Sequence, residues 1–182
     1  MTIESPGKTV PMTVKKLLIA NRGEIAIRIL RAAADLGIPS VAIYAEDEAQ
    51  SLHVAKADEA AALPGRGVPA YLDGAAILDL AREMNCDAIH PGYGFLSENA
   101  EFALACAQAG IAFVGPGVET LEVFGDKAAA RNLAERNHVP VLPGSDGAAD
   151  LSAAEAFFDT HGAIMIKAIG GGGGRGMRAI LD

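Results

Sequence analysis

Short apolar runs and amphipathic helical segments alternate along this chain, and that alternation most restricts its fold, because it predicts a parallel sheet covered by helices. The runs are Lys16 to Ala20, Ser40 to Tyr44, Glu59 to Leu63, Asp87 to His90 and Ala112 to Val114. Between the first two, Glu24, Arg28, Arg31 and Asp35 recur at helical spacing on a polar stripe, and Ile25, Ile29, Ala32 and Leu36 on an apolar one. Gly37 ends that helix. Further helices fit Asp73 to Met84 and Ser97 to Gln108, the second with Ser97 and Asn99 as candidate caps. A short helical stretch follows Gly115-Pro116-Gly117, and a new helix runs from Gly125-Asp126 to Arg136. Val139 to Gly147 is a connector rich in Pro, Gly, Ser and Asp. Beyond it lie a helix from Ser152 to Thr160, a strand from Ala163 to Ile169, a run of glycines, and a strand from Met177 to Leu181. The domain boundary is expected near Phe124, giving a flexible leader over residues 1–13 and domains over 14–124 and 125–182.

The totals exclude several classes. With 182 residues, 51% hydrophobic and 21% charged, the chain has the composition of a folded globular protein with a buried core. A formal charge of -8 offers no electrostatic reason for nucleic-acid binding, which clustered Lys and Arg would provide. Cys86 and Cys106 have neither C-x-x-C spacing nor a nearby His ligand, so they read as small buried hydrophobes in a reducing, cytoplasmic setting. No apolar run approaches the roughly 18 residues of a membrane span, and Met1 to Met12 has no apolar signal core.

The feature with the most chemistry is Gly170 to Gly174, followed by Arg175 and Gly176. Successive glycines let a backbone approach a ligand closely and aim its N–H groups at an anion such as phosphate. A flexible linker is the alternative, but the run is short and joins two strand-like segments, as a hairpin tip does. Gly171, Gly173 and Gly176 match G-x-G-x-x-G, yet a dinucleotide turn must open a helix, and Met177 to Leu181 reads as a strand. No G-K-[ST] ending is present, which excludes a Walker A loop. Lys167 interrupts the preceding apolar strand three residues before the glycines. An unpaired buried ammonium costs several kcal/mol, about the desolvation penalty of one ion, so Lys167 needs an anion or an edge position.

Three segments, in order, resemble the biotin carboxylase family. Lys16 to Arg28 (KLLIANRGEIAIR) is similar to its first strand and helix, His90 to Asn99 (HPGYGFLSEN) to its signature, and Ile166 to Arg178 (IKAIGGGGGRGMR) to its ATP loop. The resemblance covers Val14 to the end and implies an α/β fold: a Rossmann-like parallel sheet with helices on both faces, followed by an incomplete ATP-grasp domain. The implied reaction uses ATP with Mg2+ or Mn2+ to convert bicarbonate to carboxyphosphate, which carboxylates biotin on a carrier protein or domain. On this resemblance Lys127, Lys167, Gly172, Gly173, Gly174, Arg175 and Gly176 are ATP-side residues, and Tyr93 and Gly94 lie near biotin. Arg31 and Asp35 fall where the family has a homodimer surface, although an ordinary i,i+4 ion pair explains them as well. Ile169 and Asp35 depart from the usual residue types without breaking a motif.

The resemblance places the metal-binding glutamates, the bicarbonate-binding arginine and lysine, and the base outside these 182 residues. No catalytic residue and no metal ligand is therefore expected here, and the chain alone is expected not to turn over ATP. A non-catalytic dimerisation or interaction module derived from a carboxylase is the competing reading. A Rossmann dehydrogenase is disfavoured, because Asn21-Arg22-Gly23-Glu24 carries one glycine and puts Glu24 where a pyrophosphate would sit.

Overall fold

The computed structural model describes residues 13–145, 147–168 and 176–181. It divides between Leu121 and Glu122 into two compact units.

The first unit is built on five parallel strands: β1 (Leu17–Ile19), β2 (Ser40–Ala45), β3 (Glu59–Leu63), β4 (Ala88–His90) and β5 (Ala112–Phe113). Their order is β3-β2-β1-β4-β5, so the chain moves outward from β1 in one direction, then crosses back and moves outward in the other. Leu18 aligns with Val41 on one side and Ile89 on the other. Side-chain alternation splits β1 between two cores. Leu18 joins Val41, Ile43, Ile89, Tyr71 and Phe102 on one face of the sheet. Leu17 and Ile19 join Ala88 and the helix α1 (Gly23–Asp35) on the other. Burial on both faces is why β1 and β2 read as unbroken apolar runs instead of alternating ones.

α1 buries Ala26, Ile29, Leu30 and Ala33. That stripe is rotated from the one expected through Ile25, Ala32 and Leu36, and Leu36 is 74% exposed. The two stripes share Ile29, and the buried one turns towards Ala26, Leu30 and Ala33, where the small alanines let the helix lie close on the sheet. Gly37 takes a positive φ of 67°, and Ile38 N–H bonds back to the Ala33 carbonyl at 2.8 Å, closing a Schellman turn as expected. The helices α3 (Gly74–Glu83) and α4 (Ala100–Gln108) cover the opposite face through Ile77, Ala81, Phe102 and Cys106.

Asn99 caps α4 by accepting from Phe102 N–H at 2.8 Å, while Ser97 lies outside the helix in the loop that precedes it. Two short elements have no periodic signal and went unexpected: the one-turn helix α2 (Leu52–Lys56) and the 3-10 turn Val68–Leu72. Asp87 fixes the start of β1, its carboxylate accepting the N–H groups of Lys15 and Lys16 at 3.0 Å. Cys86 and Cys106 are buried free thiols, and burial pushes both up to about 11.

The helix α5 (Val118–Gly125) contains the division between the units. The second unit then carries α6 (Lys127–Arg136), α7 (Leu151–His161), and the strands β6 (Ala163–Lys167) and β7 (Met177–Leu181). Asp126 caps α6 through the N–H groups of Ala128 and Ala129, and Asp150 caps α7 through Ala153 N–H. β6 and β7 pair antiparallel from Ala163↔Leu181 to Lys167↔Met177, the hairpin expected around the glycine run. Residues 1–12 of the expected leader (1–13) and the glycine run itself lie outside the described residues.

Among the described residues beyond Leu121, none is buried. Amides of β6 and β7 should therefore exchange hydrogen far faster than those of β1 and β2, by at least about a hundredfold, because protection follows buried apolar contact. Equal protection factors across the two units, read by mass spectrometry or NMR, would contradict this.

Candidate functional site

At the carboxyl edge of the sheet, β1 and β4 are neighbours whose following segments lead to connections in opposite directions. Such a switch point leaves a crevice where open α/β sheets bind ligands. Here the crevice is a cleft of about 340 Å³ between the turn Asn21 to Ile25 after β1 and the segment Tyr93 to Phe95 after β4.

Asn21 is 1% exposed, and its amide joins the two walls. Its Nδ2 donates to the carbonyls of Pro91 at 2.7 Å and Tyr93 at 3.0 Å, and its Oδ1 accepts Arg22 N–H at 2.8 Å. Gly92 is required by this proximity. At φ +68° it already favours glycine, and a Cβ there would fall 2.6 Å from Ile25 Cγ2 and 2.9 Å from Asn21 Nδ2. Gly92 N–H donates to His90 Nδ1 at 3.0 Å, so the neutral ring carries its proton on Nε2, and burial lowers the pKa of His90.

Tyr93 lies 64% exposed on the rim and donates its O–H to Glu24 Oε1 at 3.0 Å, a bond that holds the phenol above its ordinary pKa. Phe95 adopts φ +44°, a left-handed conformation that costs a side-chain-bearing residue about 1–3 kcal/mol. Its ring stacks on Tyr71, with centroids 5.2 Å apart and planes 11° from parallel. The Arg22 guanidinium stands 5.7 Å from the Tyr71 ring centre and 5.9 Å from that of Phe95, and it pairs with Glu48. Tyr71 O–H donates to the other Glu48 oxygen at 2.6 Å. Burial, then this bond, raises the Tyr71 pKa.

A second cleft of about 320 Å³ shares Arg22 and Gly23 with the first and reaches His53. His53 is buried, its Nε2 lies 3.2 Å from the Ile43 carbonyl, and its Nδ1 has no partner. A carbonyl only accepts, so the proton sits on Nε2.

Of the residues expected from sequence, Tyr93 and Gly94 line the first cleft. Lys127 is the exposed first residue of α6, and Lys167 is the exposed last residue of β6, opposite Met177. Lys167 thus has the edge position that its charge demands. Gly176 takes φ +73°, and its carbonyl accepts Ala168 N–H at 2.8 Å. Gly172, Gly173, Gly174 and Arg175 lie outside the described residues. Arg31 and Asp35 are both exposed on α1 but form no ion pair with each other, which corrects that expectation. Among the described residues no group of three or more His, Cys, Asp or Glu could hold a metal ion, and no helix is long and apolar enough to cross a membrane. Sequence reasoning missed Asn21, Arg22, Glu48 and Tyr71. Only the position of Asn21 immediately after an apolar strand hinted at a bridging role.

An open parallel sheet with a cleft at its switch point, followed by a second compact unit carrying an antiparallel strand pair, defines an α/β protein of two units. Family models refine this class. The biotin carboxylase N-terminal domain matches residues 13–121, and the carbamoyl-phosphate synthase L chain ATP binding domain matches residues 126–182. The chain belongs to the biotin carboxylase family, with a Rossmann-like first domain leading into ATP-grasp sequence.

It is 53% identical over 173 residues to pyruvate carboxylase of Bacillus subtilis (strain 168), covering 92% of this chain and 15% of that protein. It is 49% identical over 168 residues to the biotin-dependent acyl-coenzyme A carboxylase alpha3 subunit of Mycobacterium leprae, covering 91% and 28%. The biotin carboxylase of Campylobacter jejuni, solved as a beta-gamma-ATP complex, superimposes with a TM-score of 0.89 at 42% identity, over 93% of this chain and 39% of that one. The biotin carboxylase domain dimer of Hydrogenobacter thermophilus 2-oxoglutarate carboxylase, solved with MgADP and bicarbonate, gives 0.85 at 46% identity, over 92% and 38%. The chain spans well under half the length of these relatives.

Two outcomes follow from these two clefts. Gly92→Ala should destabilise the first unit by about 1–3 kcal/mol, the range for strained or overpacked sites, measured by urea unfolding. A loss below about 0.5 kcal/mol, the level of an indifferent surface change, would contradict the close approach. For His53, burial depresses the folded-state pKa, so the unfolded chain binds more protons between that value and the ordinary value of about 6.5. Stability is then complete above about pH 6.5 and falls as the pH drops below it. The melting temperature should decline from pH 7.5 to 5.5, and less steeply in His53→Asn; an equal slope would assign the decline to another group.

Proposed function

We propose that this chain supplies the amino-terminal domain and the opening of the ATP-grasp domain of an ATP-dependent biotin carboxylase. In that reaction bicarbonate and MgATP form carboxyphosphate, and biotin on a carrier protein or domain is then N-carboxylated. The observation that carries the reading is the succession of two family matches, one on each compact unit, in the order such an enzyme requires.

On the ATP side the reading uses Lys127, Lys167 and the loop Gly172 to Gly176. The β6–β7 ladder holds Lys167 beside Met177, so the strands enter and leave the loop side by side with an ammonium at its base. A lysine and successive backbone N–H groups are the donor set that neutralises and orients a triphosphate, and phosphoryl transfer depends chiefly on such positioning. On the biotin side, Tyr93 and Gly94 line the switch-point cleft with a phenol anchored on Glu24. Bound Mg2+ or Mn2+ would neutralise phosphate charge during transfer, but the described residues contain no donor set for it, and none is assigned that role. Arg31 and Asp35, exposed on α1, are proposed as part of a homodimer surface.

The 182-residue polypeptide alone should hydrolyse no ATP in a bicarbonate-dependent manner with free biotin, beyond a Lys167→Ala control. Joined in frame to the remaining residues of the Campylobacter jejuni enzyme, it should support bicarbonate-dependent ATP cleavage stimulated by biotin. Lys167→Ala should then cost about 2–3 kcal/mol, some hundredfold in kcat/KM for ATP, as for loss of a charged transition-state contact. A chimera that folds but shows unchanged kcat/KM after Lys167→Ala would overturn the assignment.

A further inference from the structure

We infer that Arg22, Glu48, Tyr71 and Phe95 form a clamp that positions the Tyr93-Gly94 segment at the switch-point cleft; its relevance to biotin rests on the reading above. The four residues come from four places: the turn after β1, the segment between β2 and α2, the 3-10 turn Val68–Leu72, and the segment between β4 and α4. They close a ring of contacts. Each oxygen of Glu48 has its own donor, Arg22 for Oε1 and Tyr71 for Oε2. Tyr71 stacks on Phe95, and the Arg22 guanidinium lies within 6 Å of both ring centres.

The clamp explains a backbone conformation that nothing local favours. Phe95 has no side-chain hydrogen bond to hold it at φ +44°, and a free phenylalanine would relax to negative φ. Its ring is held instead from outside the segment. At the other end of the segment, Asn21 holds the Tyr93 carbonyl. Tyr93 and Gly94 are thereby fixed from both sides, with the Tyr93 hydroxyl directed to Glu24. Arg22 and Glu48 need not touch a ligand to set the geometry of the residues that would, so they are positioning residues. A preorganised segment of this kind lowers the ordering cost of binding.

The test uses the 182-residue chain without any ligand, so it stands or falls separately from the carboxylase reading. Amide exchange at Gly92, Ser97 and Asn99 reports the segment, since these N–H groups bond to His90 Nδ1 and the carbonyls of Gly94 and Leu96. Glu48→Ala should speed exchange at these amides by about tenfold or more, with β2 amides such as Ala42 within about twofold of the parent. Tyr71→Phe, which keeps the ring stack and removes only the hydroxyl, should give a smaller rise of about threefold. NMR titration of the Tyr93 phenol supplies a second readout, because loosening the segment weakens its bond to Glu24. In Glu48→Ala its pKa should fall towards that of Glu24→Gln. Unchanged exchange at the three amides, a uniform rise across the first unit, or an unmoved Tyr93 titration in a folded Glu48→Ala or Tyr71→Phe variant would each overturn the clamp.

Discussion

The three residues of β1 sit between two parallel neighbours and two hydrophobic cores, and the first unit is organised around that double burial. A parallel strand buried on both faces must have all its polar backbone groups paired, because water cannot substitute. Three residues of ladder are a short hold on β4, whose connection to the sheet runs elsewhere. Two polar side chains bracket it. Asp87 accepts the N–H groups of Lys15 and Lys16 before the strand begins, and Asn21 donates to the carbonyls of Pro91 and Tyr93 after it ends. Each joins the chain of β1 to that of β4, so the pairing is locked at both ends by bonds outside the ladder.

The cleft inherits its shape from the second of these locks. Because Asn21 draws the β4 segment inward, Gly92 must pass within a methyl group's reach of Ile25, and the chain has to turn outward again through Gly94 and Phe95. Three successive positive-φ positions on alternate or adjacent residues, Gly92, Gly94 and Phe95, are the backbone cost of that excursion. Local strain of this kind persists only where surrounding contacts over-determine it, and the aromatic and ionic contacts around Tyr71 do so here.

The strands and most helices were legible because their signals are periodic and local. All five runs became sheet strands within a residue or two, and the expected hairpin around the glycines is present in the ladder of β6 and β7. What escaped was either too short for a period or made of contacts distant in sequence. α2 is a single helical turn, and the bond of Tyr71 to Glu48 spans 23 residues, Arg22 to Glu48 26. The rotation of α1 escaped for a different reason. The expected stripe of Ile25, Ile29, Ala32 and Leu36 shares only Ile29 with the buried face of Ala26, Ile29, Leu30 and Ala33; helical spacing allows either, and contact with the sheet selects one. Family resemblance located Tyr93 and Gly94 without these contacts, but the physical reason for their placement came only from Asn21 and Phe95.

The two units differ in how their polar and apolar groups are distributed, and that difference bears on chemistry. In the first, sheet faces are covered and the open cleft lies at the switch point. In the second, Met165, Ile166, Met177 and Leu181 are between 46% and 71% exposed on a two-stranded sheet, with apolar residues on both faces. A two-stranded sheet is at best marginal by itself, and one that is apolar on both sides requires further layers to be stable. Lys167 belongs to this hairpin and lies at the end nearest the glycines. An ammonium left in water there attracts phosphate only weakly, since Coulomb attraction at about 4 Å is near 1 kcal/mol in bulk water and several times larger at lower dielectric. Any layer packed over the hairpin would also exclude water around that charge, so covering these apolar faces and strengthening the pull of Lys167 on an anion are one physical event.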